Sequence, residues 1–190
     1  FNKYVNHDLD KFFKLQNQEI EYKKKHQPFY SIEDIKFRLI RDKLLAKKDY
    51  EEIMLNMMKD KEFNPKDVYA NLFFSKDDIK KLDSLGHEVG LHSHEHHTLI
   101  EELSYDEQKN QYEKCKSIIS KILDKPLNSI KTMSHPCGSY NEETLRILKD
   151  LGVDLGFKNI MKIEKGMKTI NNSNLEIARI NHALVMKMIK

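Results

Sequence analysis

The chain predicts an α/β fold of layer or barrel form, with a helical segment in front of it. Three observations carry that reading. From Ser75 onward, short apolar runs of strand length alternate with helical faces in units of ~20–30 residues. Gly86 and Gly152 stand where two of those helices should stop. Polar, chemistry-bearing residues collect just after the strands, where α/β folds carry their sites.

The 190 residues suffice for one domain with a real core. Hydrophobic residues at 39% and charged residues at 33% describe a heavily solvated globular chain. Basic residues (33) nearly balance acidic ones (30), so nothing in the charge argues for nucleic acid as a partner. No apolar run approaches the ~20 residues that span a bilayer. Cys115 and Cys137 cannot build a disulfide framework and fit a reducing, cytoplasmic compartment. The chain opens on Phe1 rather than Met, so a preceding segment is expected.

Residues 1–74 read as a helical cover segment. Tyr50, Ile53, Met54, Met57 and Met58 recur on one helix face, and Ile35, Leu39, Ile40, Leu44 and Leu45 do so with more scatter. That stripe is core packing. Asn64-Pro65 predicts a turn, and Val68–Phe74 carries the segment's one weak strand signal.

Residues 75–190 hold the alternation. Ser75 with Asp78 opens a helix with Ile79, Leu82 and Leu85 on one face, and Gly86 closes it. His87–Leu91 is a short strand. Ser104 with Glu107 has the form of a capping box, and its helix lines up Tyr112, Cys115, Ile119 and Ile122. Ile130–Met133 is the next strand. Asn141 caps a helix bearing Leu145, Leu148 and Leu151, which Gly152 ends. Val153–Phe157 is a third strand; 168–170 and 175–180 are weaker ones.

Five of the nine histidines fall between His87 and His97. Neutral imidazole is the commonest side-chain metal ligand, so a cluster of them at a strand end predicts a metal site. Spacing leaves the pairs His92/His96, His92/His94 and His94/His97 all open. A His-rich polar loop without a ligand is the plain alternative. About forty residues later, another strand runs into Ser134-His135-Pro136-Cys137-Gly138-Ser139-Tyr140-Asn141, a rigid turn in which Gly138 permits close backbone approach.

These two stretches resemble the polysaccharide deacetylases, the NodB-homology or family 4 carbohydrate esterases. Gly86-His87-Glu88-Val89-Gly90-Leu91-His92-Ser93-His94-Glu95-His96 resembles the second motif, His-(Ser/Thr)-x-x-His after Gly-His-Glu-(Ile/Val)-Gly. Pro136 to Asn141 resembles the third, Arg-x-Pro-x-Gly-x-(Tyr/Phe)-(Asn/Asp). The resemblance runs from about Ser75 to Ile180. It implies a partial, distorted (β/α) barrel of NodB type with an N-terminal helical insertion, as in some bacterial members.

The resemblance also implies a chemistry: removal of an N-acetyl group from an acetamido sugar or a cell-surface polysaccharide by a metal-dependent hydrolase. His92 and His96 match the metal ligands, zinc being the expected ion, and His87, His94 and His97 match none. Pro136, Cys137, Gly138 and Tyr140 would line the substrate and oxyanion pocket, with the Cys137 N–H as donor. The family's Thr-Phe-Asp-Asp motif, source of the metal-binding aspartate and general base, has no match here; Asp77-Asp78 reads as helix capping. Ser134 stands where the family has arginine, and the late Leu-x-His motif has no match. His182 and His135 are the remaining candidates for a catalytic histidine. The expectation is a deacetylase whose first strands precede Phe1, and which is inactive as this fragment. A carbohydrate is the expected partner, and an oligomer is open. The alternatives are a non-catalytic glycan-binding or structural relative, and an amidohydrolase-type site built on His92-x-His94.

Overall fold

In the computed structural model, the structure describes residues 1–27, 30–159, 171–180, 185, 186 and 189. The chain divides into two units, Phe1–Phe73 and Phe74–Lys190.

The first unit is helical. Asp8 caps α1 (Leu9–Leu15) through the Lys11 N–H, and α2 (Asn17–His26) follows directly. Ser31 and Asp34 form a capping box at α3 (Ile32–Leu39), whose Ile35 and Leu39 pack on Ile20 in a small core bordered by Phe12 and Phe13. The scattered apolar spacing after α3 has a cause: residues 40–44 form a wider turn, in which the Leu45 N–H reaches back to the Ile40 carbonyl. The Met stripe lies on α4 (Lys47–Asp60), with Ile53, Met54, Met57 and Met58 half-buried. The weak strand signal at Val68–Phe74 does not hold. Residues Lys66–Leu72 are helix α5: Pro65 at its N-cap already holds helical angles, and the Asn64 side chain accepts the Lys66 N–H at 3.2 Å, which together favour a helix start.

The second unit is a mixed α/β layer, rich in helix and small in sheet. α6 (Lys76–Ser84) begins at the Ser75–Asp78 capping box. It ends at Gly86, whose φ of +86° lets the His87 N–H reach the Leu82 carbonyl at 3.1 Å. Leu85 departs from the predicted face and stands 66% exposed. Ser104 and Glu107 cap α7 (Tyr105–Leu123), which buries Tyr112, Cys115 and Ile119 as its spacing requires. Asn141 caps α8 (Glu142–Asp150), where Ile147 and Leu148 are buried, and Gly152 closes it with the same bond pattern as Gly86.

The strands are shorter than predicted. β1 (Thr132–Ser134) and β2 (Leu155–Phe157) run parallel, with Met133 opposite Gly156. The predicted strand 87–91 contributes a single parallel bridge, Leu91 to Met133, and the segment 175–180 another, Ile177 to Phe157. The predicted strand at 168–170 lies outside the described residues. Spatial order follows chain order, 91, β1, β2, 177, and every pairing is parallel.

One face of this layer is covered. Leu91 and Met133 point into the core with Tyr112, Ile119, Ile147 and Leu148. The alternate residues point the other way. Gly90, His92, Thr132, Ser134, Leu155 and Phe157 line a cavity of about 460 Å³ on that second face.

Candidate functional site

The histidine loop is anchored at its root by two backbone bonds. The Leu91 N–H donates to the Thr132 carbonyl at 2.8 Å, and the Ser134 N–H donates to the Leu91 carbonyl at 2.9 Å. Gly90 is needed for this approach, since a Cβ there would lie 2.5 Å from Thr132 Oγ1 and 2.7 Å from the Thr132 carbonyl oxygen. His92 therefore leaves the layer beside the end of β1, and its Nδ1 lies 2.7 Å from the Ser134 carbonyl oxygen. A carbonyl only accepts, so Nδ1 carries the proton and Nε2 keeps its lone pair.

The loop then turns back on itself. Ser93 and His96 both take left-handed backbone angles, φ +61° and +53°, and the Ser93 hydroxyl accepts the His96 N–H at 3.1 Å. The result places the His96 ring against that of His92, with centroids 4.8 Å apart and planes at 62°. His97 faces away to Glu95, its Nε2 3.4 Å from a carboxylate oxygen. His87 is exposed at the start of the segment.

His92 keeps an exposed edge, yet desolvation of its ring at the strand end is the main cause that holds its pKa below the ordinary value, with smaller repulsion from His96 and Arg179. The hydrogen bond to Ser134 works the other way and does not win. His92 is thus a neutral imidazole with one open lone pair and a fixed ring plane, the state in which histidine binds a metal. The His96 ring lies beside that of His92 at the same strand end. Among the described residues, no group of three His, Cys, Asp or Glu side chains converges.

The second stretch follows β1 directly. His135 continues the ladder by donating its N–H to the Phe157 carbonyl at 3.0 Å, and Pro136, the next residue, is buried. Two tight turns overlap here: the Gly138 N–H donates to the His135 carbonyl at 3.1 Å, and the Ser139 N–H to the Pro136 carbonyl at 2.9 Å. Cys137 and Gly138 are both left-handed, at φ +53° and +77°. A side chain that is not glycine rarely holds that angle, and three of the five such residues described, Ser93, His96 and Cys137, belong to these two loops.

His135 sits beneath the turn, 1% exposed. Its Nε2–H donates to the Leu175 carbonyl at 2.8 Å, its ring stacks on Tyr140 at 4.3 Å, and its Nδ1 is buried without a partner among the described residues. So placed, His135 packs buried beneath the turn. The Tyr140 hydroxyl donates to Glu176 at 3.0 Å, tying the turn to the segment that pairs with β2. Burial alone would raise the Glu176 pKa, but hydrogen bonds from Ser173, Tyr140 and Asn172 outweigh it and hold the carboxyl below its usual range. The other catalytic candidate, His182, lies outside the described residues.

Four polar residues that support these loops carry no sequence signal as site residues. On α7, Gln111 accepts the Glu95 N–H at 2.8 Å, while buried Gln108 donates to the Leu103 carbonyl and accepts from Thr144 at 2.6 Å. Ser139 donates its hydroxyl to Glu101, whose own N–H returns to the Ser139 oxygen at 3.2 Å. Glutamine on a helix core stripe is the one trace that could have flagged the first two.

Comparison with known proteins matches residues 45–156 to the family model described as polysaccharide deacetylase. No curated protein matches the chain. Among solved structures, the Streptococcus pyogenes deacetylase PplD in complex with acetate is similar at 20% identity and a TM-score of 0.49, covering 70% of this chain and 58% of that one. The deacetylase domain of BpsB from Bordetella bronchiseptica is similar at 14% identity and a TM-score of 0.45, covering 56% and 48%. A mutant CE4 family pseudoenzyme with restored enzymatic activity is similar at 23% identity and a TM-score of 0.38, covering 53% and 36%. The chain thus spans about half the length of the solved structures it matches. Among the described residues, no helix is long and apolar enough to cross a membrane.

Proposed function

The chain belongs to the polysaccharide deacetylase family, and from that premise we propose that it forms part of a metal-dependent hydrolase that removes N-acetyl groups from an acetamido sugar or polysaccharide. The observation that carries the reading is the paired orientation of His92 and His96 beside the Pro136–Gly138 turn's parent strand, with the His92 tautomer set for a ligand. The second face of the layer, which carries the cavity, would be the interior of a partial, distorted barrel of NodB type, since parallel strands following chain order are the beginning of such closure.

In this reading His92 Nε2 and His96 hold two positions of a zinc or similar divalent ion. When bound, that ion supplies Lewis-acid polarisation of the acetamide and a more acidic water. The chain's own residues do the rest. Ser134 holds the His92 ring plane through its carbonyl. The turn at Pro136, Cys137 and Gly138 presents the Cys137 N–H to the oxygen that gains charge, a donor whose value comes from being fixed in advance. Tyr140, anchored on Glu176, walls the same turn. Among the described residues no carboxylate joins this pair in a group of three, so a third ligand and a general base would come from other residues.

Zinc stoichiometry tests the assignment. In the complete protein, His92→Ala and His96→Ala each abolish bound zinc, whereas His94→Ala retains it. Equal loss in all three rejects the ligand pair.

A further inference from the structure

We propose that Asn159 is a positioning residue that holds the left-handed turn at Cys137 and Gly138 in shape; its value for catalysis rests on the hydrolase reading above. Asn159 lies two residues past β2, at the same end of the layer as His92 and the turn. Its side-chain Nδ2 donates to the Cys137 carbonyl at 2.9 Å. That bond lies within the peptide that joins the two left-handed residues, so it restrains the unit that must not rotate.

Gly138 is shaped to receive this side chain. A Cβ at Gly138 would lie 2.4 Å from Asn159 Oδ1 and 2.9 Å from its Cγ, far inside any permitted contact. The glycine therefore answers two demands at once, the φ of +77° and the space the amide occupies. Asn159 Oδ1 is buried without a hydrogen-bond partner among the described residues. Such an atom costs stability, and flipping the amide would not relieve it, because the oxygen would then oppose the Cys137 carbonyl. Three elements meet through Asn159: β2, the turn, and β1 from which the turn departs.

Holding this peptide matters because the proposed oxyanion donor, the Cys137 N–H, belongs to the preceding peptide plane of the same residue. If Cys137 leaves the left-handed region, its N–H swings with it. Donors of this kind are effective only when aimed beforehand.

The test uses the complete protein and five forms: unsubstituted, Asn159→Ala, Asn159→Asp, Gly138→Ala, and Gly138→Ala combined with Asn159→Ala. Amide exchange at Gly138 and Ser139 should quicken by about tenfold or more in both Asn159 variants, with the α7 core amides unchanged. Acetate release from an acetylated chitooligosaccharide should fall in kcat by about a hundredfold while KM holds within about twofold. The loss of stability caused by Gly138→Ala should shrink when Asn159 is already alanine, since the clash partner has gone. Unchanged exchange, or strictly additive stabilities, overturns the proposal. So does a loosened turn with full kcat. If the unsubstituted protein releases no acetate, the hydrolase reading falls, while exchange and coupling still decide whether Asn159 holds the turn.

Discussion

The imidazole of His92 donates its Nδ1–H to the backbone carbonyl of Ser134, 2.7 Å away, and so joins the two loops of the candidate site through one bond. His135, the next residue along, is bonded through the opposite nitrogen, Nε2, to the Leu175 carbonyl. The two neutral rings should therefore be opposite tautomers. Long-range proton–nitrogen correlation spectra at pH 8 are expected to show His92 protonated on Nδ1 and His135 on Nε2. A shared tautomer would break the geometry described for both.

The two cysteines should differ sharply towards thiol reagents. Cys115 is buried on α7, and burial pushes its thiol pKa up; Cys137 is exposed on the turn. Only the thiolate reacts, so one thiol should label in the folded protein, with the second slower by about a hundredfold or more until urea is added. Two equally fast thiols would contradict the packing of α7.

Gly156 allows the strand-to-strand approach beside the turn. A Cβ there would meet the Leu175 carbonyl oxygen at 2.5 Å, backbone that cannot swing aside. Gly156→Ala should destabilise the second unit by about 1–3 kcal/mol, read as a lower urea midpoint with an unchanged m-value. A midpoint equal to that of the unsubstituted chain would mean that the 175–177 segment does not pack against β2.

His135 should make the second unit acid-sensitive. Burial is the main cause that lowers its pKa; the Leu175 bond and the Glu176 carboxylate oppose that, while His92 and Lys158 reinforce it. A folded pKa below the unfolded one means that stability is complete above about pH 6.5 and is lost as the pH falls, because the unfolded chain takes up the proton first. Urea midpoints between pH 8 and 5 should decline along this limb, and His135→Gln should flatten it. The same slope in both proteins would assign the acid sensitivity elsewhere.

Local chemistry was legible in the chain. Ser75, Ser104 and Asn141 cap helices as their spacing predicts, and Gly86 and Gly152 end them with positive φ. These features depend on residues within one turn of each other. Pairing was less legible: the predicted strand at 87–91 is one bridge at Leu91, because strand length is settled by the partner and not by the apolar run. The paired histidines could be read from their motif, yet the back-turn that brings His96 to His92 depends on two left-handed residues, Ser93 and His96, a conformation uncommon for any residue but glycine. Asn159 was not legible at all, and Gln108 and Gln111 left only the trace of a glutamine on a helix core stripe. Each acts through a hydrogen bond to a residue 16 or more positions away, and only the folded chain shows which.

The parallel pairings have a kinetic consequence. Each bridge in the second unit, Leu91 with Met133, Met133 with Gly156, and Phe157 with Ile177, joins segments about twenty to forty residues apart in the chain. Their helices can form early from local capping, but the bond between His92 and Ser134 must wait until a forty-residue loop has closed. His92 should therefore acquire its fixed ring plane only after that closure, later in refolding than the local back-turn that the Ser93 hydroxyl makes with the His96 N–H.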